Sequence, residues 1–472
     1  MNLLTQVSLR IPSLLVLTSL SGLFFPSPVI AETLPYPPVS GLAESNLYSV
    51  TVDGKKIWTE HFVSNLDFDK LPDWFNEPDV RKPQELHLAN FSGTGYLKAS
   101  VTFHGDLEDV RIRPLSRGIT PKIDGNQITF NWEGPGQLVV EVGDAPPLFL
   151  FANPEEENVP SPSDPGIKYF GPGIHRPGYI ELKDNESVYI ATGAVVYGGI
   201  RANNASNIKV FGRGILDGNY EHSRMVLIED SRNILFEGVT IRNGRSWTNT
   251  LVNCRDVEYR NVKVLGFGPS SDGINPAGSQ RVKISHCFLR NTDDCIAIKA
   301  PDYAHPVRDV LVENNIMIGY AYADGITIGF ETNAQEVSNV TVKDCDILKS
   351  RGGSRVDGHS GFSIICDGPA VIHDILFENI RVERADVKLF ELNITDGKQY
   401  GEDPPGHIRD VTIRNVAWLD EGPIVLAGFD KDHIVKNVVF EDCTIADKPL
   451  KEMQEAMIKM NAFVENVTVS NN

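Results

Sequence analysis

Asn233-Ile-Leu-Phe-Glu-Gly238, Asp256-Val-Glu-Tyr-Arg-Asn261 and Arg281-Val-Lys-Ile-Ser-His286 are three copies of one pattern that decides the fold. A polar residue leads, apolar residues alternate behind it, and a small or polar residue ends each copy. The same pattern starts at Asn207, Asp309, Asn339, Asp374, Asp410, Asn437 and Asn466, which makes ten copies spaced 23 to 36 residues apart. A repeat of that length with period-two alternation is one coil of a solenoid. β-Branched residues fill the apolar slots, no helical period runs through them, and the leucine signature of leucine-rich repeats is missing. The expected fold is therefore all-β, a right-handed parallel β-helix.

Successive coils stack at about 4.8 Å, so residues of equal phase become neighbours although they are distant in sequence. Long coils, such as those starting at Asn339 and Asp374, must extrude loops, and such loops usually wall a cleft.

Residues 32–153 follow another rule. Tyr48, Val50 and Val52 alternate before the turn Asp53-Gly54. Val101-Thr-Phe103, Val110-Arg-Ile112, Ile128-Thr-Phe130 and Leu138–Val142 are further short strands. This spacing predicts a small β-sandwich. Residues 154–167 are polar and proline-rich, a linker, and residues 168–472 form the β-helix.

The segment from Met1 to Ala31 resembles a secretory leader. Arg10 is its only charge, Ile11 to Phe25 is almost wholly apolar, and Val29-Ile30-Ala31 resembles a small-residue cleavage site. Secretion or a periplasmic location is expected, with no membrane association after the leader is removed and a monomer as the working state. The chain carries a net charge of −19, which argues against nucleic acid or anionic lipid as a partner. Of its six cysteines, Cys287, Cys345 and Cys443 share one phase of the repeat, which favours buried thiols over disulfides. There is no Cys-x-x-Cys, and neither a metal nor a cofactor is expected.

Two segments break the repeat: Ser270-Ser-Asp-Gly-Ile-Asn-Pro276 and Asn291-Thr-Asp-Asp-Cys-Ile-Ala-Ile-Lys299. The interval from Asp272 to Asp293 is close to one short coil, so adjacent rungs should carry them, and Asp294 adds a third carboxylate. Crowded acids raise one another's pKa and keep a proton available at mild pH. Glycoside hydrolysis needs that combination, one carboxylic acid to protonate the leaving oxygen and a carboxylate to activate water. Against this stand the roles of Asp-Gly as a turn and of Asp-Asp as a solvated corner or calcium ligand pair. Adjacent strand residues also point to opposite faces, so both Asp293 and Asp294 serve one site only if the chain bends there.

Residues 207–345 resemble the glycosidase clan of polygalacturonases and the dextranase/isopullulanase group. Gly212-Arg-Gly-Ile-Leu-Asp-Gly218 is similar to the polygalacturonase entry motif. Ser270-Ser-Asp272 matches the Asn-Thr-Asp motif at its aspartate, and Asp293-Asp294-Cys-Ile-Ala-Ile matches the Asp-Asp motif. Tyr169-Phe-Gly-Pro-Gly-Ile-His175, and a sandwich ahead of a β-helix, look more like the dextranase group. The resemblance implies a pectin-lyase-like solenoid and inverting hydrolysis of a polysaccharide, with Asp293 as general acid and Asp272 and Asp294 holding the attacking water.

The departures bear on substrate. Where polygalacturonases carry Gly-His-Gly, this chain has Ala323-Asp324-Gly325, and Asp324 is expected to accept from a sugar hydroxyl. The Arg-Ile-Lys motif that grips uronates aligns only as Arg355-Val-Asp357 or Ser363-Ile-Ile365. A site lacking that cation should reject a uronate, so the main expectation is a neutral α-glucan of dextran or pullulan type. The alternatives are a uronan hydrolase using a substitute cation such as Arg355, a polysaccharide lyase, and a non-catalytic glycan-binding β-helix. Lys299, Asn275, Trp247, Glu331 and His359 complete the expected substrate-binding set.

Overall fold

The computed structural model describes residues 32–78, 80–352, 359–398 and 400–471. The leader assigned to residues 1–31 lies outside them, as does Arg355. No helix among the described residues is long and apolar enough to cross a membrane.

The repeats form a parallel β-helix. One sheet has twelve strands, and each of the ten sequence copies supplies one of them, in chain order. A second, 21-stranded sheet takes its strands mostly two per coil. The polar first residue of every copy has a physical reason. Asn207, Asn233, Asp256, Arg281, Asp309, Asn339, Asp374, Asp410, Asn437 and Asn466 all have φ between 52° and 59°. Several sixth positions match them: Asn261, His286, Asn314, Asp344 and Asn379 have φ of 53–56°. Left-handed backbone is costly for most side chains but tolerated by Asn and Asp, which explains why those residues so often bracket a strand. Their amides then stack from coil to coil. Asn233 donates to Asn207 at 2.7 Å, Asn339 to Asp309 at 2.6 Å, and Asn415 to Asn379 at 2.7 Å.

The apolar positions of equal phase pile on one another inside. Val257, Val282, Val310 and Val340 are consecutive partners in register, and all four are buried. Aromatic rings do the same: Phe236 lies flat on Tyr259 at 4.5 Å, and Phe362 lies 4.8 Å from Phe390. All six cysteines are free and buried in this core. The one α-helix among the described residues, Leu450–Met457, lays Leu450, Met453 and Met457 against its far end.

Residues 32–153 form an 11-stranded sheet system organised by the 19-residue strand Glu85–Phe103. Its first half pairs with Thr59–Val63 and Leu148–Asn153, and its second half with Tyr48–Val52 and Gln127–Gly134. A core between the two halves gathers Tyr48, Val101 and Phe130 with Ile112, Val140 and Leu150. This unit docks on the β-helix through a second apolar cluster, in which Phe62, Leu88, Phe149 and Phe151 meet Leu265, Phe267, Phe288 and Ile316. Arg242 of the β-helix reinforces the contact by pairing with Glu60 at 2.8 Å.

Candidate active site

The site grows from one column of the 21-stranded sheet. Ile274, Ile296, Ile326, Phe362 and Phe390 are partners on successive coils, each pointing into the core. Two residues before each of them stand Asp272, Asp294, Asp324, Ser360 and Lys388, and Trp247 occupies the same phase one coil earlier. Main-chain bonds fix the stacking: Gly273 N–H donates to the Asp294 carbonyl at 2.9 Å, and Cys295 N–H to the Asp324 carbonyl at 3.1 Å. Asp272 is therefore in register with Asp294 on the adjacent rung. Asp293 sits one position earlier on the same rung. It can face the same cleft because residues 292–295 are not extended; the chain bends between Phe288–Asn291 and Ile296–Ala300. Asp272 and Asp294 are buried, while Asp293 is half-buried at the opening.

Removal from water dominates the electrostatics. Burial pushes the Asp272 carboxyl up to about 7, against the pull of Lys299 and with a further push from Asp294. Asp293 is likewise raised to about 7, by burial and then by Asp272, with His359 opposing. Asp294 reaches about 7 through burial and its neighbours Asp324 and Asp293. The triad therefore holds both protons and negative charge around neutrality, and its protons belong to the group as a whole.

The surrounding side chains hold these acids in place. Asn275 donates to Asp272 at 2.7 Å, while its own amide oxygen is buried with no protein partner. Lys299 Nζ lies 3.8 Å from Asp272 and 2.8 Å from Glu331. Glu331 reaches it because the strand Ile326–Thr332 shifts register against Ile296–Ala300 at this point. Lys299 and Arg224 both lie over the Trp247 ring, at 4.8 and 4.6 Å. Trp247 is half-buried and serves these cations as a π face.

Asp324 has structural partners as well as a place in the column. Its Oδ1 accepts from the Ser360 N–H at 2.7 Å, and its Oδ2 accepts from the Ser363 hydroxyl. Both oxygens are engaged by the protein and the side chain is buried. It also fixes His359, whose Nδ1 lies 3.3 Å from Asp324 and 3.8 Å from Asp294. Burial lowers the His359 pKa, but Asp324, Asp294 and Asp293 outweigh it and raise the ring to about 9. His359 is thus a cation at neutral pH.

The site also holds residues that sequence reasoning missed. Ser360 and Thr327 present buried hydroxyls without protein partners toward this region. Lys388, in the same column beyond Ser360, pairs with Glu391. Trp74 comes from the N-terminal unit. The Tyr322 hydroxyl, two residues from Asp324, donates to the Trp74 carbonyl at 3.1 Å and accepts from Asn76 and Glu77 N–H at 3.1 and 3.2 Å. Trp74 is 40% exposed, its ring edge-on to Tyr322 at 5.8 Å, so it offers an aromatic surface beside the column. Only the periodic part of the chain advertised its partners; Trp74 carried no such signal.

A family model described as glycosyl hydrolases family 28 matches residues 198–457, more than half of the chain. The chain belongs to that family. It is thus a glycoside hydrolase by family. The probable exopolygalacturonase B of Aspergillus niger is 24% identical over 229 residues, covering 41% of this chain and 50% of the relative. That of Aspergillus terreus is 24% identical over 249 residues, covering 46% and 55%. The chain thus spans about half the length of the curated relatives it matches. Dex49A from Penicillium minioluteum shares the fold over 93% of this chain and 96% of its own, with a TM-score of 0.65 at 15% identity. An exopolygalacturonase from Thermotoga maritima shares it over 59% and 79%, with a TM-score of 0.51 at 18% identity.

Proposed function

We propose that this family 28 chain is a secreted hydrolase that cleaves a polygalacturonate-like uronan by inverting acid/base catalysis. The observation that carries the mechanism is the set of three carboxylates on two adjacent coils, each raised to about 7. Asp293, at the opening, keeps a proton at mildly acid pH and delivers it to the departing glycosidic oxygen. Asp272 and Asp294, deeper and in register, hold a water, and ionised Asp272, the one nearest Lys299, takes its proton as the oxygen attacks the anomeric carbon. Asn275 orients Asp272, and Lys299 favours its ionised form.

The substrate class follows from a revised count of cations. The missing Arg-Ile-Lys segment suggested that a uronate has no partner here, but Lys299 and His359 lie within 4 Å of the acids and Lys388 shares their column. A uronate carboxylate placed by such cations gains charge-assisted hydrogen bonds. The names of the Aspergillus relatives support the same class. A neutral α-glucan remains the second reading, favoured by five carboxylates, Asp272, Asp293, Asp294, Asp324 and Glu331, gathered around Lys299 and His359.

Incubation with polygalacturonate, dextran and pullulan, with Asp293→Asn as control, separates the readings by the reducing ends released. Release from polygalacturonate that the variant lacks is the expected result. Release from dextran or pullulan alone would transfer the proposal to the neutral glucan. Binding without release would leave a glycan-binding β-helix.

A further inference from the structure

One cluster of ionisable side chains outside the cleft has no part in this chemistry. The antiparallel strands Thr59–Val63 and Glu85–Phe103 set His61 directly opposite His87. Glu85 precedes His87 by two residues, so the period of the strand brings its side chain to the same face. The two imidazoles stack at 5.0 Å, only 12° from parallel. His61 Nε2 lies 2.7 Å and His87 Nε2 3.9 Å from the same oxygen, Glu85 Oε1.

An ion pair between His61 and Glu85 accounts for two of the three groups but leaves His87 unexplained. Its side chain is completely buried, and neither ring nitrogen has a hydrogen-bond partner. The edge contact with Tyr48 at 5.0 Å satisfies the ring carbons and not those nitrogens. Buried polar atoms are normally paired, and what converges on Nε2 here is a second imidazole and a carboxylate.

We propose that His61, His87 and Glu85 form a binding site for a divalent transition-metal cation of the zinc class, with water completing the coordination. Two neutral imidazole nitrogens and one carboxylate oxygen are a ligand set that zinc takes readily. The three ligand atoms already lie within 4.8 Å of one another. An ion about 2.1 Å from each, in tetrahedral geometry, separates them by about 3.4 Å. The 2.7 Å contact widens, the 3.9 Å contact closes, and the His61 ring at the rim turns out of the stack so that its in-plane lone pair meets the ion; His61 and Glu85, 25% and 41% exposed, have the freedom to do so. His61 and Glu85 form the rim and give the ion its entry path, while His87 forms the floor. The bound ion ties two neighbouring strands together and so stabilises the N-terminal unit.

Calorimetric titration of the chelator-stripped full chain with zinc chloride tests this, with cobalt(II) absorption as the geometric readout. The expected result is one equivalent bound at a Kd of about 1 μM or tighter, a tetrahedral cobalt spectrum and a raised Tm. Glu85→Gln and His61→Ala lie at the rim, where folding tolerates them, and circular dichroism checks this. Each is expected to weaken binding at least about ten-fold while leaving polysaccharide hydrolysis unchanged. No saturable binding, or binding only at millimolar zinc, overturns the proposal. Binding that both variants retain also overturns it, because it places the ion at the other close group, Asp294, Asp324 and His359.

Discussion

Replacing Lys299 with Met should displace the pH dependence of hydrolysis toward alkali. Lys299 Nζ is 3.8 Å from Asp272 Oδ2, and both side chains are buried. Unit charges at about 4 Å attract by roughly 4 kcal/mol at an effective dielectric constant near 20. One pKa unit corresponds to about 1.4 kcal/mol, so loss of the ammonium raises Asp272 by up to about three units. Glu331, deprived of its partner at 2.8 Å, adds further negative charge nearby. The sign follows from the role: Asp272 works ionised, its pKa is already about 7, and a further rise demands higher pH to empty it of its proton. The ascending limb of kcat/KM against pH, measured on polygalacturonate from pH 4 to 9, should therefore move alkaline by one to three units, about what the Coulomb figure allows. Lys299→Arg keeps the charge and should leave that limb near its original place. A folded Lys299→Met enzyme whose limb moves by less than about 0.5 unit would refute the argument, since Lys299 would not then govern Asp272.

Asp293→Asn should lower kcat by about 10²–10⁴-fold while the protein stays folded. Asp294→Asn should stabilise the protein above neutral pH, by on the order of 2 kcal/mol. The folded pKa of Asp294 lies above its unfolded value, so the native state binds the extra proton and the wild type loses stability as pH climbs from about 4 through 7. Thermal melts of both forms at pH 5 and pH 8 check this, and the gap should be wider at pH 8. Trp74→Ala should raise KM about five-fold, roughly 1 kcal/mol of lost ring contact, with kcat little changed. None of the six thiols should react with a thiol reagent before unfolding, because burial both hides Cys254, Cys287, Cys345 and Cys366 and pushes each up to about 12.

The fold was legible because its geometry imposes a residue type at a fixed place. A left-handed residue recurs at the same phase of every strand of the twelve-stranded sheet from Asn207 onward, and Asn or Asp fills nine of those ten positions. The site was legible only where coils are short. Asp272 and the pair Asp293-Asp294 are separated by about one short coil, so the spacing put them on adjacent rungs, whereas the bend at residues 292–295, which no period announces, decides that Asp294 is the one in register. The interval from Asp324 to Ser360 is 36 residues, well beyond a short coil, which hides the phase of His359. Lys299 and Glu331 meet through a register shift that no period predicts. Trp74 and the Tyr322 hydroxyl that it accepts from are 248 residues apart, and such proximity comes from docking between units, which leaves no mark on local pattern.

The anchorage of Trp74, Asn76 and Glu77 by the Tyr322 hydroxyl has a consequence in time. Its partners are separated by 245–248 residues, whereas each rung of the solenoid joins segments one coil apart. Contacts so remote close slowly, so the coils can wind and stack before this wall of the cleft exists. In a refolding experiment, far-ultraviolet ellipticity should return first, and turnover of polymer only after the segment of Trp74 has docked on Tyr322.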